Sequence, residues 1–330
     1  MVAALGMSAS AQAPAAPSPT VTVPCKDSIG VSLVDVPQAR RSDPRARTYI
    51  IDHVEPGTRF DRRLRICNGT TAAVTVSVYA GAATIKDSAF RATEGRVANE
   101  LSGWITVTPE RVAVPAMGEQ LVDARFTVPV DATGGERYAA ILVETPAVVQ
   151  AGGASVANRV GVRVYLSVGG PQEPSSDFAV DSMQAERRAD GRPVVTARVR
   201  NTGERALDLR GDLGLSQGPG GLSAGPFPAS VGTTLAVGAS APVEIVLDKA
   251  IKGGPWLGRI TMRSGLLERQ AEATISFPDA AGSKQTAVLA RALPLAGDRA
   301  VLIPIAGTLI GLLALILAAG YLLSRRQARR

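Results

Sequence analysis

The sequence predicts an all-β protein: two tandem Ig-like β-sandwich domains followed by one C-terminal transmembrane α-helix. Three observations carry that expectation. Period-2 alternation of apolar and polar residues recurs in short runs across residues 26–278. Each run is bounded by Gly, Pro, Asn or Asp. One uncharged apolar stretch, 301–323, stands apart near the C-terminus.

The chain opens with an apolar, alanine-rich segment in which Ala11-Gln12-Ala13 matches an A-x-A cleavage pattern. The first charge is Lys26, so the basic start of an export signal is missing. Residues 1–25 therefore read as a signal-peptide remnant and an Ala/Pro spacer, with the true start upstream. Cys25 and Cys67 are the two cysteines, and in an exported chain they are expected to pair. Closing a loop of about 40 residues would stabilise the fold by about 3–4 kcal/mol in the chain-entropy model. Two free thiols are the alternative.

In the first domain, 26–168, the alternating runs are 30–34, 48–54, 60–66, 73–79, 121–128, 137–144 and 159–168. Glu55-Pro56-Gly57-Thr58 fits a type II turn. Residues 169–176 have the composition of a linker. In the second domain, 177–278, the runs are 178–184, 194–200, 207–215, 241–247, 258–263 and 271–277. The two domains share an echo. Arg65-Ile66-Cys67-Asn68-Gly69-Thr70 precedes one alternating strand, and Arg198-Val199-Arg200-Asn201-Thr202-Gly203 precedes another. Many short strands at this spacing indicate sandwiches.

Residues 279–300 read as a polar stalk leading to the span at 301–323. As a helix that span covers about 35 Å, enough for a hydrocarbon core of about 30 Å. Arg325, Arg326, Arg329 and Arg330 follow it, placing the C-terminus in the cytoplasm and the large N-terminal part outside. Gly307 and Gly311 form a GxxxG pair that permits helix dimerisation. Leu293-Pro294-Leu295-Ala296-Gly297 resembles a degenerate sortase signal, with Ala in the usual Thr place.

The formal net charge is +7, and the four terminal arginines account for more than half of it. Residues 35–65 hold the remaining excess, so the charge does not describe a nucleic-acid binder. Arg40, Arg41, Arg45, Arg47, Arg59, Arg62, Arg63 and Arg65 are candidates for a basic patch that binds an anionic wall polymer through bidentate guanidinium contacts. The alternative is solvated faces partly paired with Asp43, Asp52 and Asp61.

One histidine and two cysteines leave no metal-ligand pattern, and no cofactor is expected. His53 lies in an alternating strand and reads as structural. Gly221-Leu222-Ser223-Ala224-Gly225 matches G-x-S-x-G, but its Gly/Pro flanks predict a loop rather than a nucleophile elbow. Trp104 and Trp256 offer sugar-stacking rings, with burial in the core the stronger expectation.

Residues 49–57, 64–70, 99–105 and 129–141, among them Trp104 and the run Gly135-Glu136-Arg137-Tyr138, resemble the peptidoglycan-binding domain of WxL-interacting proteins, in an actinobacterial-type relative. That resemblance implies a non-enzymatic surface scaffold that touches peptidoglycan and holds other surface proteins. The rivals are a covalently wall-attached surface protein and an exported cell-wall hydrolase.

Overall fold

The computed structural model describes residues 25–149, 153, 155–229 and 232–294. Strands dominate it, and the chain divides into two compact units between Pro174 and Ser175.

The first unit is a sandwich of two sheets. One sheet has the order β1 (Ile29–Leu33), β3 (Arg59–Asn68), β8 (Glu119–Thr127), β6 (Ile105–Thr108). The other runs β2 (Ile50–Val54), β12 (Arg159–Val168), β9 (Gly135–Glu144), β4 (Val74–Lys86), β5 (Ala89–Ala92), with β7 (Arg111–Val114) also on β4. A small hairpin of β10 (Val148–Val149) and β11 (Ser155–Val156) extends from β9 and β12. β2 runs parallel to β12, while the neighbouring β9 runs antiparallel to it. The first strand of the sandwich is thus split between the two sheets, as an Ig-like topology allows. Alternation makes the core: Leu64, Ile66, Val122, Ala124 and Phe126 from one sheet meet Val78, Ile141, Val143, Val164 and Leu166 from the other.

The second unit repeats the plan. One sheet is β18 (Ser240–Val246), β14 (Pro193–Asn201), β13 (Phe178–Arg187), β21 (Ser283–Lys284), with β22 (Val288–Leu289) also on β13. The other is β16 (Ala224–Pro228), β15 (Leu207–Ser216), β19 (Trp256–Ser264), β20 (Leu267–Ile275), β23 (Arg291–Leu293), with β17 (Thr233–Leu235) on β15. Val195, Ala197, Val243 and Ile245 pack against Leu213, Leu215, Ile260 and Met262.

The stalk expected at 279–300 is corrected as far as Pro294. β21 and β22 cover the β13 edge, and β23 covers the β20 edge. Main-chain bonds continue the attachment, from Gln285 N–H to Ala185 O (2.9 Å) and from Ala290 N–H to Asp181 O (3.1 Å). Covered edges remove two open templates for strand pairing. The sequence hides these strands because they are two or three residues long and mostly exposed, so no apolar alternation marks them.

One helical turn, α1 (Glu100–Gly103), interrupts the first unit. The Asn99 side chain accepts from Ser102 N–H (2.9 Å), and Ser102 Oγ accepts from Asn99 N–H (2.8 Å), a reciprocal cap.

Among the described residues no helix is long and apolar enough to cross a membrane. The expected span 301–323, its Gly307/Gly311 pair, Leu295, Ala296 and Gly297 of the sortase-like motif, the terminal arginines and residues 1–24 lie outside the described residues.

Candidate functional site

The Cys25–Cys67 disulfide, with its Cα atoms 6.0 Å apart, fastens the start of the described chain to the end of β3. Gly30 faces Cys67 across β1 and β3, and a Cβ at Gly30 would collide with Cys25 Sγ. The crosslink therefore sits over a glycine and holds Asp27, Ser28 and Ile29 at one end of the sandwich. There they form one wall of an open groove of about 670 Å³. Ile29, Val74, Val143, Val148 and Val160 make it apolar; Asp27, Thr70, Thr145, Asn158 and Arg159 supply polar atoms. The strand ends that supply Val74, Val143 and Val160 are fixed by sheet pairings, Val74 with Val114 and Val143 with Val160. Val148 reaches the groove from the projecting hairpin, is 60% exposed, and pairs in register with Val156. Among the described residues no aromatic side chain lines the groove.

The eight candidate arginines do not form one basic patch. Arg40, Arg41, Arg45 and Arg47 belong to the segment with two 3-10 turns ahead of β2. That segment closes over the outer face of the β2-β12-β9 sheet, where Tyr165 is fully buried outside the main core. The Arg45 guanidinium lies 5.2 Å from the Tyr165 ring centroid, and Arg163 lies 5.0 Å from both Tyr49 and Phe90. Arg40 is ion-paired with Glu173, and Arg47 donates to the Arg41 carbonyl (3.2 Å). Beside them, burial pushes the Tyr138 phenol far above its ordinary pKa.

Arg59, Arg63 and Arg65 instead alternate on the outer face of the other sheet, between acids. Arg63 holds Asp35 through two guanidinium bonds of 2.9 and 2.7 Å, and Arg65 lies 3.2 Å from Glu119. Asp61 pairs with Arg125 at 2.9 Å, and exposed Arg59 faces Thr127 in register. Arg62 points the other way. It bridges the two sheets through a 2.7 Å bond to Asp52 and lies 4.7 Å from the Phe60 ring centroid. Asp43 accepts the backbone N–H of Arg45 rather than a guanidinium. Strand alternation explains the split, because neighbours in sequence face opposite sides.

His53 Nε2 lies 2.8 Å from the Gly170 carbonyl, which makes it the protonated nitrogen and a tether for the start of the linker. Ser223 is exposed between a 3-10 turn and β16, with no helix after it. Trp256 is buried, and its indole donates to the Lys252 carbonyl (3.0 Å). Trp104 is the C-cap of α1, partly buried against the core and covered by Arg137 at 5.0 Å. Leu293 ends β23, and Pro294 follows it. Among the described residues no group of three or more His, Cys, Asp or Glu side chains could hold a metal ion.

No family model and no curated protein sequence matches the chain. Solved structures do resemble it. The YadV chaperone is 12% identical with a TM-score of 0.40, over 74% of this chain and 99% of that one. The Escherichia coli chaperone DraB is 12% identical with a TM-score of 0.38, over 76% and 97%. The complex of Salmonella enterica SafA pilin with the SafB chaperone gives 9% identity and a TM-score of 0.39, over 79% and 95%. The likeness stops at the fold. It carries no argument about ligand or partner.

Proposed function

We propose that the protein is an exported, membrane-tethered, non-catalytic binding module whose first sandwich holds a segment of another surface protein in its groove. The supporting observation is the groove itself. It is lined by aliphatic and polar side chains together, with strand ends beside it, features that suit alternating side chains and the main chain of an extended polypeptide. A glycan would call for stacking rings, which the described lining lacks. The resemblance of this unit to WxL-interacting proteins belongs to the same reading, as does the expected membrane span at 301–323. An anionic wall polymer is the weaker ligand, because the arginines expected to bind it are interleaved with acids or folded over Tyr165.

The test is retention of residues 25–294, which keep the Cys25–Cys67 disulfide, by solubilised surface proteins and by purified cell wall, compared with Val148→Asp. The reading expects retention by a surface protein that Val148→Asp abolishes. Retention by cell wall alone, unchanged in Val148→Asp, would overturn it.

A further inference from the structure

The tail strands change where the chain leaves the second sandwich. β20 ends at Ile275, at the end of the unit opposite to the start of β13. β21 and β22 then run antiparallel to β13, from Arg187 back toward Ser182, and β23 runs antiparallel to β20, from Glu272 to Gln270. Both pairings carry the chain back toward Phe178. The second unit is therefore entered and left at the same end.

That end carries two exposed aliphatic tips. Leu266, in the turn between β19 and β20, is 68% exposed, and Val237, in the turn before β18, is 48% exposed. The buried Asn201 side chain fixes the second turn through the Ala236 carbonyl (3.0 Å), and Ser264 Oγ accepts from Asp208 N–H (3.1 Å) beside the first. Several charges near this end are paired: Arg269 with Asp177 (2.9 Å), and Arg263 with Glu268 (2.7 Å) and Asp212 (3.1 Å). Such pairing reduces the one-signed field that could repel a charged lipid surface.

Between Pro294 and the uncharged stretch that begins at Val301 lie six residues. Fully extended, they allow at most roughly 25 Å. We infer that the end of the second sandwich bearing Leu266, Val237 and the chain exit docks on the bilayer surface, with both aliphatic tips in the headgroup region. This rests on the reading that 301–323 crosses the membrane. A short tether makes even a weak surface contact persistent, because the local concentration of bilayer is high.

The experiment uses the full chain in vesicles of phosphatidylethanolamine and phosphatidylglycerol. Nitroxide labels are placed singly through Leu266→Cys, Val237→Cys, Leu222→Cys and Leu312→Cys. Leu222 is an equally apolar exposed residue at the opposite end of the same unit. The readout is collision with lipid-soluble oxygen against a water-soluble nickel complex. Docking predicts oxygen-to-nickel ratios at 266 and 237 severalfold above that at 222. Water-like ratios at 266 and 237 with a lipid-like ratio at 312 overturn the docking alone. A water-like ratio at 312 overturns the membrane span, and the docking with it.

Discussion

Asn68 and Asn201 make the same hydrogen bonds at the same place in the two sandwiches. Each is 2% exposed at the C-terminal end of a long strand, β3 in the first unit and β14 in the second. Asn68 Nδ2 donates to the carbonyls of Ala72 (2.8 Å), Pro115 (3.0 Å) and Val114 (3.2 Å), and its Oδ1 accepts from Thr70 N–H (2.9 Å). Asn201 Nδ2 donates to Arg205 (2.8 Å), Ala236 (3.0 Å) and Leu235 (3.4 Å), and its Oδ1 accepts from Gly203 N–H (3.0 Å). Each side chain ties its own turn to the turn that precedes the neighbouring strand of its sheet, β8 in the first unit and β18 in the second. Asn68→Ala or Asn201→Ala leaves those carbonyls buried without a donor. Each should cost its own unit about 1–3 kcal/mol. Denaturation followed by hydrogen exchange in each unit checks this: Asn201→Ala should lower protection in 178–293 and leave 29–168 unchanged.

The disulfide spans a sequence separation of 42. Replacing both cysteines by serine should destabilise the first unit by about 3–4 kcal/mol. It should also free the wall of the groove formed by Asp27 and Ile29. Urea unfolding of the double variant measures the first effect, and loss of retention by the surface protein measures the second.

Tyr165 is a core residue on the outside of a sheet. Tyr49, Phe90 and Tyr138 surround it with ring centroids 5.2–5.9 Å away, and Arg45 covers it. Tyr165→Ala should cost about 3–5 kcal/mol, the range for deleting a large buried ring. Arg45→Gln should cost about 0.5–1 kcal/mol. Thermal unfolding of both variants would rank them, and equal effects would contradict the packing described.

The Arg63 guanidinium holds the Asp35 carboxyl below its ordinary pKa. A depressed carboxyl pKa stabilises the fold fully above the unfolded value, near 3.9, and that stability is lost as pH falls through the folded value. Asp35→Asn should therefore lower the melting temperature slightly at pH 7. The difference from the native protein should shrink as the pH falls below the unfolded value and vanish once it passes the lowered folded value. A difference that persists in acid would mean that Asp35 acts by something other than charge.

Ending the second unit at Pro278 strips β21, β22 and β23 from the β13 and β20 edges. The shortened protein should self-associate, while one ending at Pro294 stays monomeric in size-exclusion chromatography. Identical elution would mean that the tail is a stalk after all.

The sequence makes the long strands legible because one face of each is buried, so alternation repeats over five or more residues. β12 coincides with its expected run, 159–168. The echo between Asn68 and Asn201 was also legible, since a buried asparagine at a strand end leaves a local pattern. Three things were not. The tail strands are held by main-chain bonds and have no apolar period. The Tyr165 cluster lies on the face that alternation assigns to solvent. The groove gathers Ile29, Val74, Val143 and Val160 from four strands, and no spacing along the chain marks that meeting.

The most direct test of the account is photo-crosslinking on intact cells, with a photoreactive phenylalanine at Val148 or at Leu222. The account predicts that position 148 joins to a defined stretch of one surface protein and that position 222 does not. Crosslinks from 148 only to wall fragments, or equal crosslinking from both positions, would contradict it.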